Sequence, residues 1–255
     1  GRQVYLIFAG ASGIVIRCFS FRRILTELER RHDRRRPIRP QKPRYAACRN
    51  QPWQHFAGHR HQPYRRAEGV APDMAAALAS KLGVGVSYVT YATPGEVADA
   101  ASRDEWDVGL IAIEPKRAEV IGFCDAYVEI EATYLVPAGS TFQTMDDVDQ
   151  PGVRIAVSER AAYDLYLSRT LKHAELHRGP GLPGAFELFV NEKLDALAGL
   201  VPALKGNAEK LPGSRVMEGR YTSVCQAIGT EPECKALNTF VNAFLAEAKA
   251  SGLVA

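Results

Sequence analysis

WDVGLIAIEPKRAEVIGFCDAYVEIEATYLVPAGS, residues Trp106–Ser140, holds three changes of pattern in one run. The mostly apolar DVGLIAI predicts a strand covered on both faces. KRAEVIGF predicts a helical turn or two. VEIEATYLVPAG predicts a long strand ending in a breaker. Upstream, GVAPDMAAALASKLG (69–83) predicts a helix. Pro72 and Asp73 suit its first turn, Met74, Ala77, Leu78 and Leu82 share one face, and Gly83 suits its stop. VGVSYVTY alternates as a strand, and PGEVADAASRDEW predicts a short helix.

Downstream the alternation restarts. GVRIAV, AELHRG, LDALAGL, RVMEG and TSVCQAIG predict strands. AAYDLYLSRTLK, PGAFELFVNEK and PALKGNAEKL predict helices between them. The last segment, PECKALNTFVNAFLAEAKASG, is an amphipathic helix with Leu237, Phe240, Val241, Phe244 and Leu245 on its apolar side. Strands alternating with helices predict an α/β protein with mainly parallel sheets. Two such runs joined near VPAGST predict two lobes, 67–137 with 228–255, and 138–227.

The chain of 255 residues carries a formal charge of +3, a mean that describes neither of its parts. Residues 1–66 hold 16 of the 32 basic residues and 3 of the 29 acidic ones, so that segment carries +13 and the remainder −10. An Arg-rich arm is a mark of nucleic-acid or membrane-surface binding. Here it has one lysine, Lys42, and a scatter of His, Gln and Pro without periodicity. A GC-rich gene translated out of frame has the same composition. Codons for Asn50–Phe56 (NQPWQHF), read one nucleotide later, allow I-N-L-G-N-T-L, a strand end followed by a glycine turn. Roughly residues 35–66 are therefore expected to be a shifted frame, and 1–66 an atypical basic segment, disordered or out of frame.

Val4–Ile16, VYLIFAGASGIVI, is shorter than the about 20 residues that span a membrane. It has the length of a signal-peptide apolar region, but RCFSFRR follows where small residues belong. Five cysteines without a CxxC argue against structural zinc, and the pairing of Cys225 with Cys234 stays open. His55, His59 and His61 have no supporting Cys or carboxylate neighbour, so no metal or other cofactor is expected. Gly-rich phosphate loop, GxSxG and HExxH motifs are absent.

GVAPDMAAALASKLGV, the Trp106–Ser140 stretch and GVRIAVSERAAYDLYL…EKLDALAG resemble, in order and spacing, the family 3 solute-binding proteins of bacterial ABC importers. The resemblance covers about residues 69–255. It implies a two-lobe type II periplasmic-binding-protein fold, with the ligand in the cleft and the first strand region of lobe one missing or disordered. It also implies an amino-acid-like or carboxylate-bearing ligand, a membrane permease as partner, a periplasmic monomer, no chemistry and no nucleic acid. Arg117 matches the arginine that clamps a ligand carboxylate, for which a guanidinium's paired donors are suited. Alternatively it is a surface residue pairing with Glu114 or Glu119. Ala112 stands where a hydroxyl is usual and Glu114 where Thr is common. In lobe two the matching anion site is Glu159-Arg160-Ala161-Ala162, where backbone donors remain but the usual hydroxyl is gone, and Ser158 just before it is a further candidate ligand contact. Gly199-Leu200 replaces the Asp that holds an α-amino group, and Asp195 reads as a strand-end residue.

Two other classes stay open. A cyclohexadienyl-dehydratase-like enzyme on the same scaffold would use Glu114 as an acid or base near Arg117. A nucleic-acid-binding protein would use residues 1–66.

Overall fold

A computed structural model describes residues 14–17, 70–83, 87–91, 93–103, 105–232 and 234–254. In chain order the strands are β1 (Ile14–Arg17), β2 (Ser87–Thr90), β3 (Val108–Ala112), β4 (Gly122–Val136), β5 (Arg154–Ser158), β6 (Glu175–Gly179), β7 (Ala196–Leu200), β8 (Arg215–Val216) and β9 (Thr222–Thr230). The helices are α1 (Val70–Leu82), α2 (Pro94–Ala101), α3 (Met145–Val148), α4 (Ala162–Thr170), α5 (Gly181–Asn191), α6 (Val201–Ala208) and α7 (Lys235–Ala250). A 3-10 turn spans Arg117–Glu119.

The strands form one sheet in the order β2-β1-β3-β9-β4-β7-β5-β6, with β8 against β4. The expectation of mainly parallel pairing is corrected. Only β5–β6 and β5–β7 run parallel; every other pairing is antiparallel. The reason is the long ribbon of β4 and β9. They pair antiparallel from Gly122–Thr230 to Ala132–Thr222 and carry the chain between the two halves of the sheet. Helix–strand alternation in sequence cannot distinguish such a crossing ribbon from one more parallel strand.

The apolar periodicities fix which faces are buried. Met74, Leu78, Leu237, Val241 and Leu245 bury one stripe each of α1 and α7 against Leu110 and Ile228. At the far end, Tyr134, Val136, Ile155, Val157, Leu167 and Ala198 form a second core. Gly83, at φ +70°, takes the left-handed conformation that ends α1, as its sequence position predicts. β4 starts six residues before the predicted VEIEATYLV strand, because two register shifts between Phe123 and Val128 interrupt its alternation.

Ile14–Arg17 occupies the slot between β2 and β3, antiparallel to both. The rest of the basic segment, including the proposed shifted frame, His55, His59, His61, Cys18 and Cys48, lies outside the described residues.

Candidate functional site

Open α/β sheets place ligands at the carboxyl ends of their parallel strands. Here the chain leaves β5, β6 and β7 through short turns into α4, α5 and α6. Their N-cap residues are Ala161, Pro180 and Leu200, none with a side-chain cap. By contrast, Thr93 and Thr144 cap α2 and α3, neither of which follows a parallel strand of this sheet. Three helix starts thus face one crevice with their positive ends uncapped by side chains.

The opposite wall comes from the end of β3, from Pro94 and from Arg117. The cleft between them encloses about 710 Å³ including its open mouth. Its lining is mainly aliphatic, with Arg117, Ser158, Tyr163 and Gln226 as its polar side chains. That size and balance suit one small molecule.

Arg117 is 3% exposed. Its Nη1 donates to the Ala112 carbonyl at 3.0 Å and its Nη2 to the Arg160 carbonyl at 2.9 Å. No carboxylate among the described residues forms an ion pair with it. Burial draws its pKa down from 12.5 to about 10, only partly offset by the nearby Glu114 charge. A buried cation without a counter-ion has a strong affinity for any anion that enters.

Glu114 is 2% exposed but turned away from the cleft. Its Oε1 accepts from Arg169 Nη1 at 2.5 Å. Its Oε2 accepts from the Lys116 and Arg117 backbone N–H groups at 2.9 and 3.3 Å. This carboxylate therefore fixes the 3-10 turn that aims Arg117. The surface pairing of Arg117 with Glu114 or Glu119 does not form.

Arg160 has φ 58°, unusual for a residue with a side chain. Two contacts hold it there: its N–H donates to Asp164 Oδ2 at 2.8 Å, and its carbonyl accepts from Arg117. The guanidinium crosses the cleft mouth and grips Asp99 bidentately at 2.8 and 2.7 Å. Gly95 permits this crossing, since a Cβ there would sit 2.7 Å from Arg160 Nε. A second cavity, lined by Glu96, Glu159, Arg160 and Gly181 among others, lies at this mouth.

Deeper in, Ser158 Oγ and Tyr163 Oη are buried with no partner except each other. Both residues line the cleft. Behind them Tyr134, Tyr221 and Tyr166 stack in series, with centroid separations of 4.6 and 6.2 Å.

Of the residues singled out by sequence, Ala112, Arg117, Ser158 and Ala161 come together on the cleft. The side chains of Glu114 and Arg160 are instead drawn to Arg169 and Asp99. Tyr163, Leu182, Val224 and Gln226 were not foreseen. Tyr163 and Leu182 each fall in the first turn after a strand end, which is the signal that would have found them. Val224 and Gln226 lie on β9 and carry no such signal.

Cys225 and Cys234 form no disulfide with each other, and burial pushes the Cys124 thiol up to about 12. No cluster among the described residues could hold a metal, and no described helix is long and apolar enough to cross a membrane.

Residues 51–255 match the profile of the bacterial extracellular solute-binding proteins, family 3. The match begins upstream of position 69, where the sequence resemblance starts. No curated protein matches the chain. Among solved structures, the ancestral amino acid-binding protein AncCDT-1, a precursor of cyclohexadienyl dehydratase, aligns at 23% identity. It covers 73% of this chain and 81% of its own, with TM-score 0.62. Holo ArgBP from T. maritima aligns at 24% identity over 69% and 78%, with TM-score 0.61. The binding component of an ABC transporter from Wolinella succinogenes, complexed with lysine, aligns at 18% identity over 73% and 82%, with TM-score 0.64. At these identities the structures share the fold.

Proposed function

As this chain belongs to family 3 of the bacterial extracellular solute-binding proteins, we propose that it is the extracytoplasmic binding component of an ABC importer. It takes a small carboxylate-bearing solute into the cleft, closes on it and delivers it to a membrane permease. It works as a periplasmic monomer, without a cofactor and without nucleic acid. Lobe one comprises residues 67–137 and 228–255, and lobe two residues 138–227. Arg117 receives the carboxylate, with Ala112, Ser158 and Ala161 around it. Glu114 positions Arg117, and Arg160 joins the lobes at the mouth.

One observation carries this reading: a buried guanidinium faces the cleft with no carboxylate of its own. An enzyme using Glu114 as acid or base is less well supported, because both oxygens of that carboxylate are already engaged. The test is a melting-temperature screen against small carboxylates, amines and neutral solutes. A ligand that binds only the folded state raises stability. Carboxylates are expected to raise the melting temperature of the native chain and not of Arg117→Ala. Stabilisation by amines alone, or by nothing, would overturn the assignment.

A further inference from the structure

The importer reading leaves open the rest of the ligand's charge pattern, and the cleft narrows it. Among the described residues the lining holds one cation, Arg117, and no carboxylate. Of the acids around it, Glu114 pairs with Arg169 at 2.5 Å, Asp99 with Arg160 at 2.7 Å and Asp164 with Arg178 at 3.1 Å. Glu96 and Glu159 line the second cavity at the mouth, not the cleft beside Arg117. An ammonium group entering beside Arg117 would lose its water, gain no counter-charge and sit near a like charge.

The lining offers something different to a second ligand group. Leu200 lines the cleft as the N-cap of α6. Leucine is a poor N-cap and aspartate a good one, so an apolar side chain stands here against the helix's own preference. Leu110, Ile111, Leu182 and Val224 add to the apolar lining of the same cleft. The Ser158 and Tyr163 hydroxyls, with no partner except each other, leave a donor and lone pairs for a ligand. A carbonyl oxygen accepts that donor; an ammonium could donate to the lone pairs, but it would bring a charge that no carboxylate of the described lining offsets.

We propose that the ligand is a 2-oxo acid with an apolar side chain rather than an amino acid. Its carboxylate meets Arg117, its keto oxygen meets Ser158 and Tyr163, and its side chain lies against Leu200 and the aliphatic wall. The proposal rests on the importer reading and names the ligand class of the same cleft.

Matched pairs test it: calorimetric titration of the full chain with 4-methyl-2-oxopentanoate against L-leucine, and with phenylpyruvate against L-phenylalanine. Each pair differs at the 2-position alone. The oxo acid is expected to bind about a hundredfold more tightly, as for an ammonium left buried and unpaired. Equal or tighter binding of the amino acids overturns the proposal and leaves the importer reading standing. Failure of all four compounds, together with a flat carboxylate screen, removes both. Leu200→Asp adds a gain-of-function arm. It is expected to weaken the oxo acid about tenfold and to confer measurable binding of L-leucine. An unchanged oxo-acid affinity in Leu200→Asp overturns the placement of the ligand against that residue.

Discussion

The two halves of the sheet are built by different rules. In the β4-β7-β5-β6 half, β5, β6 and β7 arrive with a helix after each, and all three run parallel. In the β2-β1-β3-β9 half the inner slot is taken by Ile14–Arg17, four residues from far upstream, antiparallel to both neighbours. Yet the core beneath that half is built from α1, β3, β4, β9 and α7. Among the described side chains, the core beneath that half is drawn from residues 70–254, while one strand of the half comes from the segment whose composition breaks from the rest.

Exchanging residues 35–66 for their translation one nucleotide later should show the largest effect. If that frame restores a strand and glycine turn beside α1, the first half gains ladder hydrogen bonds and a cleft wall. A gain of about 3 kcal/mol is expected, or roughly 10 °C in melting temperature for a chain of this size. An unchanged melting temperature would mean that Ile14–Arg17 already serves the first half fully.

Binding should be as unequal between the halves as construction is. The first half contributes the unpaired charge, Arg117; the second contributes a neutral hydroxyl, Ser158. Arg117→Ala is expected to cost about 2–3 kcal/mol of carboxylate affinity, since charged hydrogen bonds are the strong ones, and Ser158→Ala about 1 kcal/mol. Calorimetry on the two variants decides it, and equal losses would break the asymmetry.

Much of this was legible in residues 69–255. α1 and α7 announce themselves by apolar stripes, and β3 by a run buried on both faces. The start of β4 was not legible, because its register shifts destroy the period-2 signal at the point where a strand must be recognised. Arg117 and Ala112 could be placed on the cleft through the family resemblance, which matches a strand end and the turn after it position by position. The engagement of Glu114 with Arg169 and of Arg160 with Asp99 could not be read, since those partners lie 55 and 61 residues away. Such pairings arise only when the two halves meet, and no window of sequence contains both members.

That meeting can be perturbed on its own. Gly95→Ala puts a Cβ within 2.9 Å of Arg160 Cβ and 2.7 Å of its Nε. The guanidinium must then leave Asp99. α2 itself should not weaken, because alanine suits a helix better than glycine. The closed form is expected to lose about 0.5 kcal/mol relative to the open one, as the pair is half exposed. X-ray scattering should then report a larger radius of gyration for unliganded Gly95→Ala at an unchanged melting temperature. A radius identical to that of the native chain would show that the mouth pair does not hold the halves together.

Acid probes the same contact more gently. The Arg160 hydrogen bond holds the Asp99 carboxyl below its ordinary 3.8, against a smaller opposing effect of burial. A depressed carboxylate pKa stabilises the state in which the partner is present. That contribution is complete well above pH 3.8 and is lost as pH falls through the lower value. Closure should therefore be insensitive to pH from 7 down to about 5, and should loosen below about pH 4. The pair is half exposed, with Arg160 and Asp99 side chains 46% and 48% accessible, so solvent screening keeps its worth to about 0.5 kcal/mol. The measurement is scattering across that range on the native chain and on Asp99→Asn, which retains the shape but not the titration. Every other carboxylate is common to both proteins, so the difference between the two curves isolates Asp99. Two superimposable curves would assign the acid response to the rest of the interface and leave the Arg169–Glu114 pair and the Arg117 bond to the Arg160 carbonyl as the polar ties between the halves.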